Sequence, residues 1–350
     1  MQQEKYHPAL NLLMVALILL GLYLGKDLLV PLVLAIVVWY LINTIGANFG
    51  RIKFGSKQMP RWLRTTLAVL FVFSFFWFIG RMVINNLEEF VEVAPEYNAK
   101  FVQLTHEISQ KTEIPTIHEL SKEIHLGQLA SDTFNSSLNF LTALFVVLFY
   151  VIFLFFEQEV FKKKIDLMFR GREDKVNYFR ITRRIDASMK SYLGVKSFIA
   201  LLAAVCDYIV FISFDLDFAI LWAFLAFLLN FIPFVGALIA ILFPTILSLI
   251  QFGDPVITVA IFIILNVIQV IIGNFLEPKM VGKSLNLSPL VVILSLAFWG
   301  ALWGVAGMFL CVPITVALMI IFSQFPKTRR IAILLSAGND PSKAARIVKH

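Results

Sequence analysis

A chain of 350 residues that is 59% hydrophobic, with 35 Phe and a mean hydropathy of +0.83, is far more apolar than a soluble globular protein, which sits nearer about 45–50%. The net charge of +7 lies in short loops beside apolar runs, not on a basic face interleaved with aromatics, and this argues against a nucleic-acid partner. Cys206 and Cys311 both fall inside apolar segments, which fits neither a disulfide framework nor a metal site.

The fold class that follows is an all-α polytopic membrane protein. A span needs about 20 mostly apolar residues. After Lys5 the chain runs apolar from Ala9, shows no small-x-small cleavage site and continues into a second apolar stretch, so it reads as an uncleaved first span. The expected spans are 9–25, 28–46, 65–84, 137–156, 197–214 and 255–276. Two further apolar runs, 218–252 and 288–322, are each about 35 residues long, more than about 50 Å as helix, and too long for one crossing of a core about 30 Å thick.

Charge sets the expected orientation. Residues 46–64 hold Arg51, Lys53, Lys57, Arg61 and Arg64 with no acid and read as cytoplasmic. Residues 85–136 hold nine acids against three lysines and read as external. The segment 157–196, with eleven basic residues against six acids, and the tail 326–350 return to the inside. Both termini are then cytoplasmic, and the simplest path makes each long run a re-entrant helical hairpin, one opening outward and one inward. The chain divides into three N-terminal spans (1–84), an external amphipathic helical segment (85–136), a fourth span (137–156), basic cytoplasmic helices (157–196), a core with two spans and both hairpins (197–325), and the cytoplasmic tail (326–350).

The breaks in the long runs are specific. Pro233, Gly236 and Pro244 interrupt "NFIPFVGALIAILFPT"; the alternative to a hairpin is a proline-kinked core helix. "LAFLLNFIPFVGALIAILFPTI" from Leu225 and "LAFWGALWGVAGMFLCVPIT" from Leu296 share a Leu-Ala-Phe start, a glycine-containing middle and an apolar-Pro end, a weak inverted repeat unless the likeness is coincidental. Backbone that leaves the helix at membrane depth must be buried or line a cavity, and paired Gly/Pro-interrupted segments point to a secondary-transporter site. Gly304, Gly307 and Pro313 are the second run's hinge positions, and Pro278 ends the sixth span.

Few polar groups lie inside the spans. Asp207, in "LLAAVCDYIVFI", is the one acid clearly within one, where an ionisable group faces a cavity or a partner. It is a candidate to exchange protons or hold sodium; the alternative is a carboxylate near the outer interface, hydrated or paired with Arg81. Asn230, Asn266, Gln269 and Asn274 add amides that line a polar path or serve as glue between helices. Asn266, Gln269 and Asn274 lie on one span at steps of three and five, and the first two share a face. Glu277 is a gate or ion ligand, or a surface partner of Lys279 or Lys283. Trp299 and Trp303 read as packing.

The stretch "NFLEPKMVGKSLNLSPLVVILSLAFWGALWGVAGMFLCVPIT", with Asn274, Pro278, Gly282, Leu287, Pro289, Gly300, Trp303, Gly304, Gly307 and Pro313 in place, resembles the signature region of the AI-2E family of permeases, and "FIPFVGALIAILFPT" resembles the element before it. The resemblance extends over nearly the whole layout. It implies a secondary permease of the bacterial inner membrane, a homo-oligomer, exporting the signal autoinducer-2 or exchanging sodium for protons. The rivals are an uncoupled channel-like pore and an envelope scaffold acting through 85–136.

No enzyme, cofactor or ATP site is expected. "GKS" at 282–284 lacks the glycine a P-loop requires five residues earlier, where Glu277 stands, and His106-Glu107 is followed by Gln110 where a zinc protease has histidine. The expected partners are the lipid bilayer and a small polar solute or H+/Na+, driven by gradients.

Overall fold

The computed structural model describes residues 8–49, 60–112, 126–168, 172–281 and 286–338. The glycine, lysine and serine of "GKS" and residues 339–350 lie outside them. The described chain is almost entirely helical: α1 (Pro8–Leu24), α2 (Lys26–Phe49), α3 (Arg61–Thr112), α4 (Leu126–Met168), α5 (Arg172–Ser213), α6 (Ala219–Leu229), α7 (Val235–Phe252), α8 (Pro255–Val270), a π-helical segment (Ile271–Leu276), α9 (Glu277–Val281), α10 (Pro289–Gln324) and α11 (Arg329–Leu335). An apolar solvent leaves no other choice, because every backbone N–H and C=O must find its partner within the segment.

Among the described residues six segments are long and apolar enough to cross a membrane: Lys26–Ala47, Leu63–Asn86, Tyr178–Ser213, Val235–Phe252, Pro255–Met280 and Pro289–Gln324. Leu12–Leu24, Thr142–Gln158 and Ala219–Leu229 are apolar but shorter. The amphipathic stretch after the third expected span is no separate helix. It continues α3, whose 52 residues extend about 78 Å. The basic segment before residue 197 likewise runs without a break into the fifth expected span as α5, 42 residues long.

The fold forms two units. The first holds residues 1–40, 145–189 and 286–350. Within it α10 is bent in two: Gly304 has φ 63° and ψ −144°, and Thr315 Oγ1 donates to Ser295 Oγ at 3.0 Å. Twenty residues apart on an unbroken helix, those two groups would lie about 30 Å from each other, so the chain doubles back at Gly304. Trp299 and Trp303 are buried at the bend with ring centroids 5.1 Å apart, and Trp303 Nε1 donates to Leu22 O of α1 at 3.0 Å. An antiparallel bridge between Leu287 and Ser336 ties the start of α10 to the end of α11.

The second unit holds residues 41–144 and 190–285. Here α6 and α7 form a hairpin. Its tip is a three-residue turn in which Val235 N donates to Pro233 O at 2.7 Å around Phe234, at φ 63° and ψ −57°. This positive-φ γ-turn is rare and strained for a residue with a Cβ. Pro244, fully buried in the middle of α7, can donate no backbone bond; Thr245 Oγ1 donates to Ile241 O at 2.8 Å beside it. The corner into α8 follows ordinary capping chemistry. Gly253 closes α7 at φ 63°, Asp254 caps α8 by accepting from Val256 N at 2.8 Å, and Pro255 takes the first helical position.

The far part of α3 is bound to this unit's loop 214–218. Tyr97 is 6% exposed and its phenol donates to the Asp217 carboxylate, while the Phe90 and Phe218 rings meet edge to face at 5.6 Å. Burial, and after it the bond to Asp217, push the Tyr97 pKa above its ordinary value. A phenol with a raised folded-state pKa contributes its full stability below the unfolded value of about 10 and loses it as pH rises beyond. Tyr97→Phe is therefore expected to cost about 1–3 kcal/mol at neutral pH, constant across roughly pH 6–9 and shrinking above about pH 10. Denaturant titration of both proteins in detergent micelles measures this, and a gap that widens above pH 10 would contradict it.

Candidate functional site

The second unit's polar groups converge where α5 meets α8. On α5 the buried stripe runs Lys196, Ile199, Ala200, Ala203, Asp207, Val210 and Phe211, steps of three and four that keep one helix face turned inward. On α8 the corresponding stripe is Thr258, Ile261 and Leu265, extended through Ile268 and Gln269 to Ile272. Ile199, Ala203 and Ile272 pack together with Val195 and Ile268 against them.

Polar contacts bracket that apolar patch. On one side Asp207 is 1% exposed, with the Gln269 side chain beside its carboxylate. The pair is not a closed one: Asp207 Oδ1 and Gln269 Nε2 both lack a hydrogen-bond partner. On the other side Lys196 Nζ reaches Glu277 Oε1 at 2.6 Å, with the lysine side chain 6% and the glutamate 31% exposed. Lys196 and Asp207 are eleven residues apart, about 16 Å along α5 and within about 20° of the same face. The contact order is antiparallel, with 207 against 269, 203 and 199 against 268 and 272, and 196 against 277.

A buried carboxylate with an unused oxygen is costly in an apolar interior unless a proton, a cation or a donor meets it. What this arrangement can do chemically is bind such a partner reversibly. Arg81 is exposed on α3 and is not the group that answers Asp207.

The other expected residues are placed as follows. Asn230 is 9% exposed at the C-terminal cap of α6, with Oδ1 unpartnered. Asn266 donates its amide to Phe262 O at 2.8 Å on its own helix. Asn274 is exposed within the π-helical segment. No hydrogen bond joins these three to Asp207 among the described residues. Pro233 and Gly236 sit at the first hairpin's tip; a Cβ on Gly236 would lie 1.7 Å from Leu229 O. Gly304 is the bend of α10, and a Cβ on Gly307 would lie 1.9 Å from Trp299 O. Counted from the shared Leu-Ala-Phe, Gly236 and Gly307 hold the same position, and each closes its hairpin against a carbonyl of the preceding helix. Pro313 is buried in the second arm of α10, and Pro278 is exposed on α9.

Lys196 was missed by the sequence reading, which offered Glu277 only its near neighbours. The available signal was a lysine eleven residues before Asp207, on the same side of the same helix.

A family described as the AI-2E family transporter matches residues 12–327. A provisionally named transport protein of Haemophilus influenzae is 31% identical, covering 96% of this chain and 97% of its own. Another provisionally named transport protein, from Borreliella burgdorferi, is 27% identical over 96% and 92%. The AI-2 transport protein TqsA of Escherichia coli K12 is 26% identical over 93% and 94%.

Proposed function

We propose, from the premise that this chain belongs to the AI-2E transporter family, that it is a gradient-driven permease of the bacterial inner membrane that exports a small polar solute. That it is a membrane transporter follows from the family and from its apolar helices. The coupling group is Asp207. The observation carrying this reading is a carboxylate 1% exposed inside a spanning segment, with one oxygen unpartnered and an amide beside it. Such a group takes up and releases H+ or Na+ as the site faces alternate sides. By likeness to the AI-2 transport protein TqsA, an autoinducer-2-like molecule is the solute. The same carboxylate supports a second reading, direct sodium/proton antiport.

The two hairpins are the re-entrant elements of this permease. The eleven residues of α6 rise about 16 Å, too little to cross a core about 30 Å thick, which supports re-entry for the first. With cysteines introduced singly at Val235 and Gly253, only the second is expected to react with an impermeant maleimide from outside. Reaction of position 235 from the opposite side would overturn re-entry.

The function is tested in inverted membrane vesicles, following autoinducer-2 accumulation with and without a protonophore. Accumulation abolished by the protonophore is the expected result. Equal passage in both conditions would favour an uncoupled pore.

A further inference from the structure

The ion pair of buried Lys196 with half-buried Glu277 has no part in the chemistry assigned to Asp207. Burying a charge for such a pair is rarely stabilising in itself, since desolvation offsets the attraction. The winding of α8 supplies another reason for the pair. Gln269 and Glu277 are eight residues apart, and on an unbroken α-helix they would point about 80° away from each other. Between them Ile271–Leu276 are wound as a π-helix, which holds roughly one residue more than the same turn of α-helix. Taking off one residue's rotation of about 100° leaves Glu277 within about 20° of Gln269. The π segment is thus what turns Glu277 onto the face that meets α5.

We propose that Lys196 is a positioning residue of the transport path: by holding Glu277 it latches the helix from Gln269 to Val281 in its π register beside Asp207. Release of the latch lets the extra residue pass out of the segment. Everything beyond Leu276 then rotates by about 100° away from α5, while Gln269 stays in place. Ile272 anchors the start of the segment against Ile199 and Ala203, and the side beyond it is open. Asn274 and Phe275 are exposed, and no atom lies within 4 Å of the place where a Cβ on Gly273 would stand. The helix is therefore a two-state element joined to α5 at both ends, the kind of device that carries coupling between a binding group and a gate. As a statement about the helix the latch stands alone; its role in transport rests on the permease reading above.

The test is amide hydrogen exchange, read by mass spectrometry on the full chain in lipid nanodiscs without added solute. Lys196→Met and Glu277→Gln are expected to speed exchange across residues 271–281 by about tenfold or more, with α7 unchanged as the sign of an intact fold. Lys196→Arg, and the exchanged pair Lys196→Glu with Glu277→Lys, are expected to stay within about threefold of wild type. In vesicles, Lys196→Met should lower the maximal rate and leave half-saturation unchanged. Wild-type exchange rates in both single variants would overturn the latch, as would Lys196→Arg exchanging as fast as Lys196→Met. Absence of solute-linked proton movement in wild type would instead contradict the permease reading and leave the exchange result to decide the latch.

Discussion

Asp207→Asn is expected to give a folded protein whose ion-coupled flux has fallen about tenfold or more. The amide has nearly the carboxylate's shape and can still reach Gln269, so the packing around it is kept. What it cannot do is take up a proton or offer a full negative charge to sodium. Removing a buried charge lifts a desolvation burden, so thermal stability in detergent should be unchanged or raised. A purely structural carboxylate would behave in the opposite way, with the melting temperature and flux falling together. Asp207→Glu keeps the charge but adds a methylene to a fully buried site, and overpacking of this kind costs about 1–3 kcal/mol. It should therefore retain coupling at reduced stability. The two variants together separate charge from packing.

Gly236→Ala and Gly307→Ala are expected to have the largest effects on stability. In each case the new methyl would stand under 2 Å from a carbonyl oxygen, Leu229 O or Trp299 O, and the obstacle is backbone with no rotamer to yield. The arms must spread or the tip must unwind. A loss of about 3 kcal/mol or more follows, read as a fall of roughly 5–10 °C in melting temperature. Gly304→Ala meets no atom within 4 Å, but its φ of 63° with ψ of −144° lies where only glycine is comfortable. It should cost about 1–3 kcal/mol through backbone strain alone. Gly21→Ala, in open space on α1, is the control and should be neutral or slightly stabilising. Tryptophan fluorescence melts of the purified proteins give all four values. A Gly236→Ala protein as stable as the Gly21→Ala control would contradict the hairpin geometry.

Much of the architecture was legible because a bilayer imposes one rule on the backbone. Apolar runs such as 65–84 and 255–276 had to be helices, and the structure has them so. Where a run was too long, the residues that break helices marked its interruption: Pro233 and Gly236 stand at one reversal and Gly304 at the other. Asp207 stood out because a charge amid apolar residues has no cheap explanation.

The rest depended on winding and on distant partners. Helical phase computed at 100° per residue fails across Ile271–Leu276: it turns Glu277 about 80° from the direction of Gln269, away from the side on which Lys196 meets it. Nothing in "IIGNFL" announces a π turn. Lys196 and Glu277 are 81 residues apart, and charge patterning assigned Lys196 to the basic cytoplasmic segment because it ends that run. Tyr97 and Asp217 are 120 residues apart and belong to segments that composition treated separately. Pairings of that range follow from how distant segments meet in the fold, which hydropathy does not encode.

The most direct test of Asp207 as the coupling group of a gradient-driven transporter is internal pH in proteoliposomes as sodium or autoinducer-2 is added outside. Wild type is predicted to move protons in response to at least one of the two, and Asp207→Asn in response to neither. Equal proton movement in both proteins, or none in wild type with either solute, would contradict it.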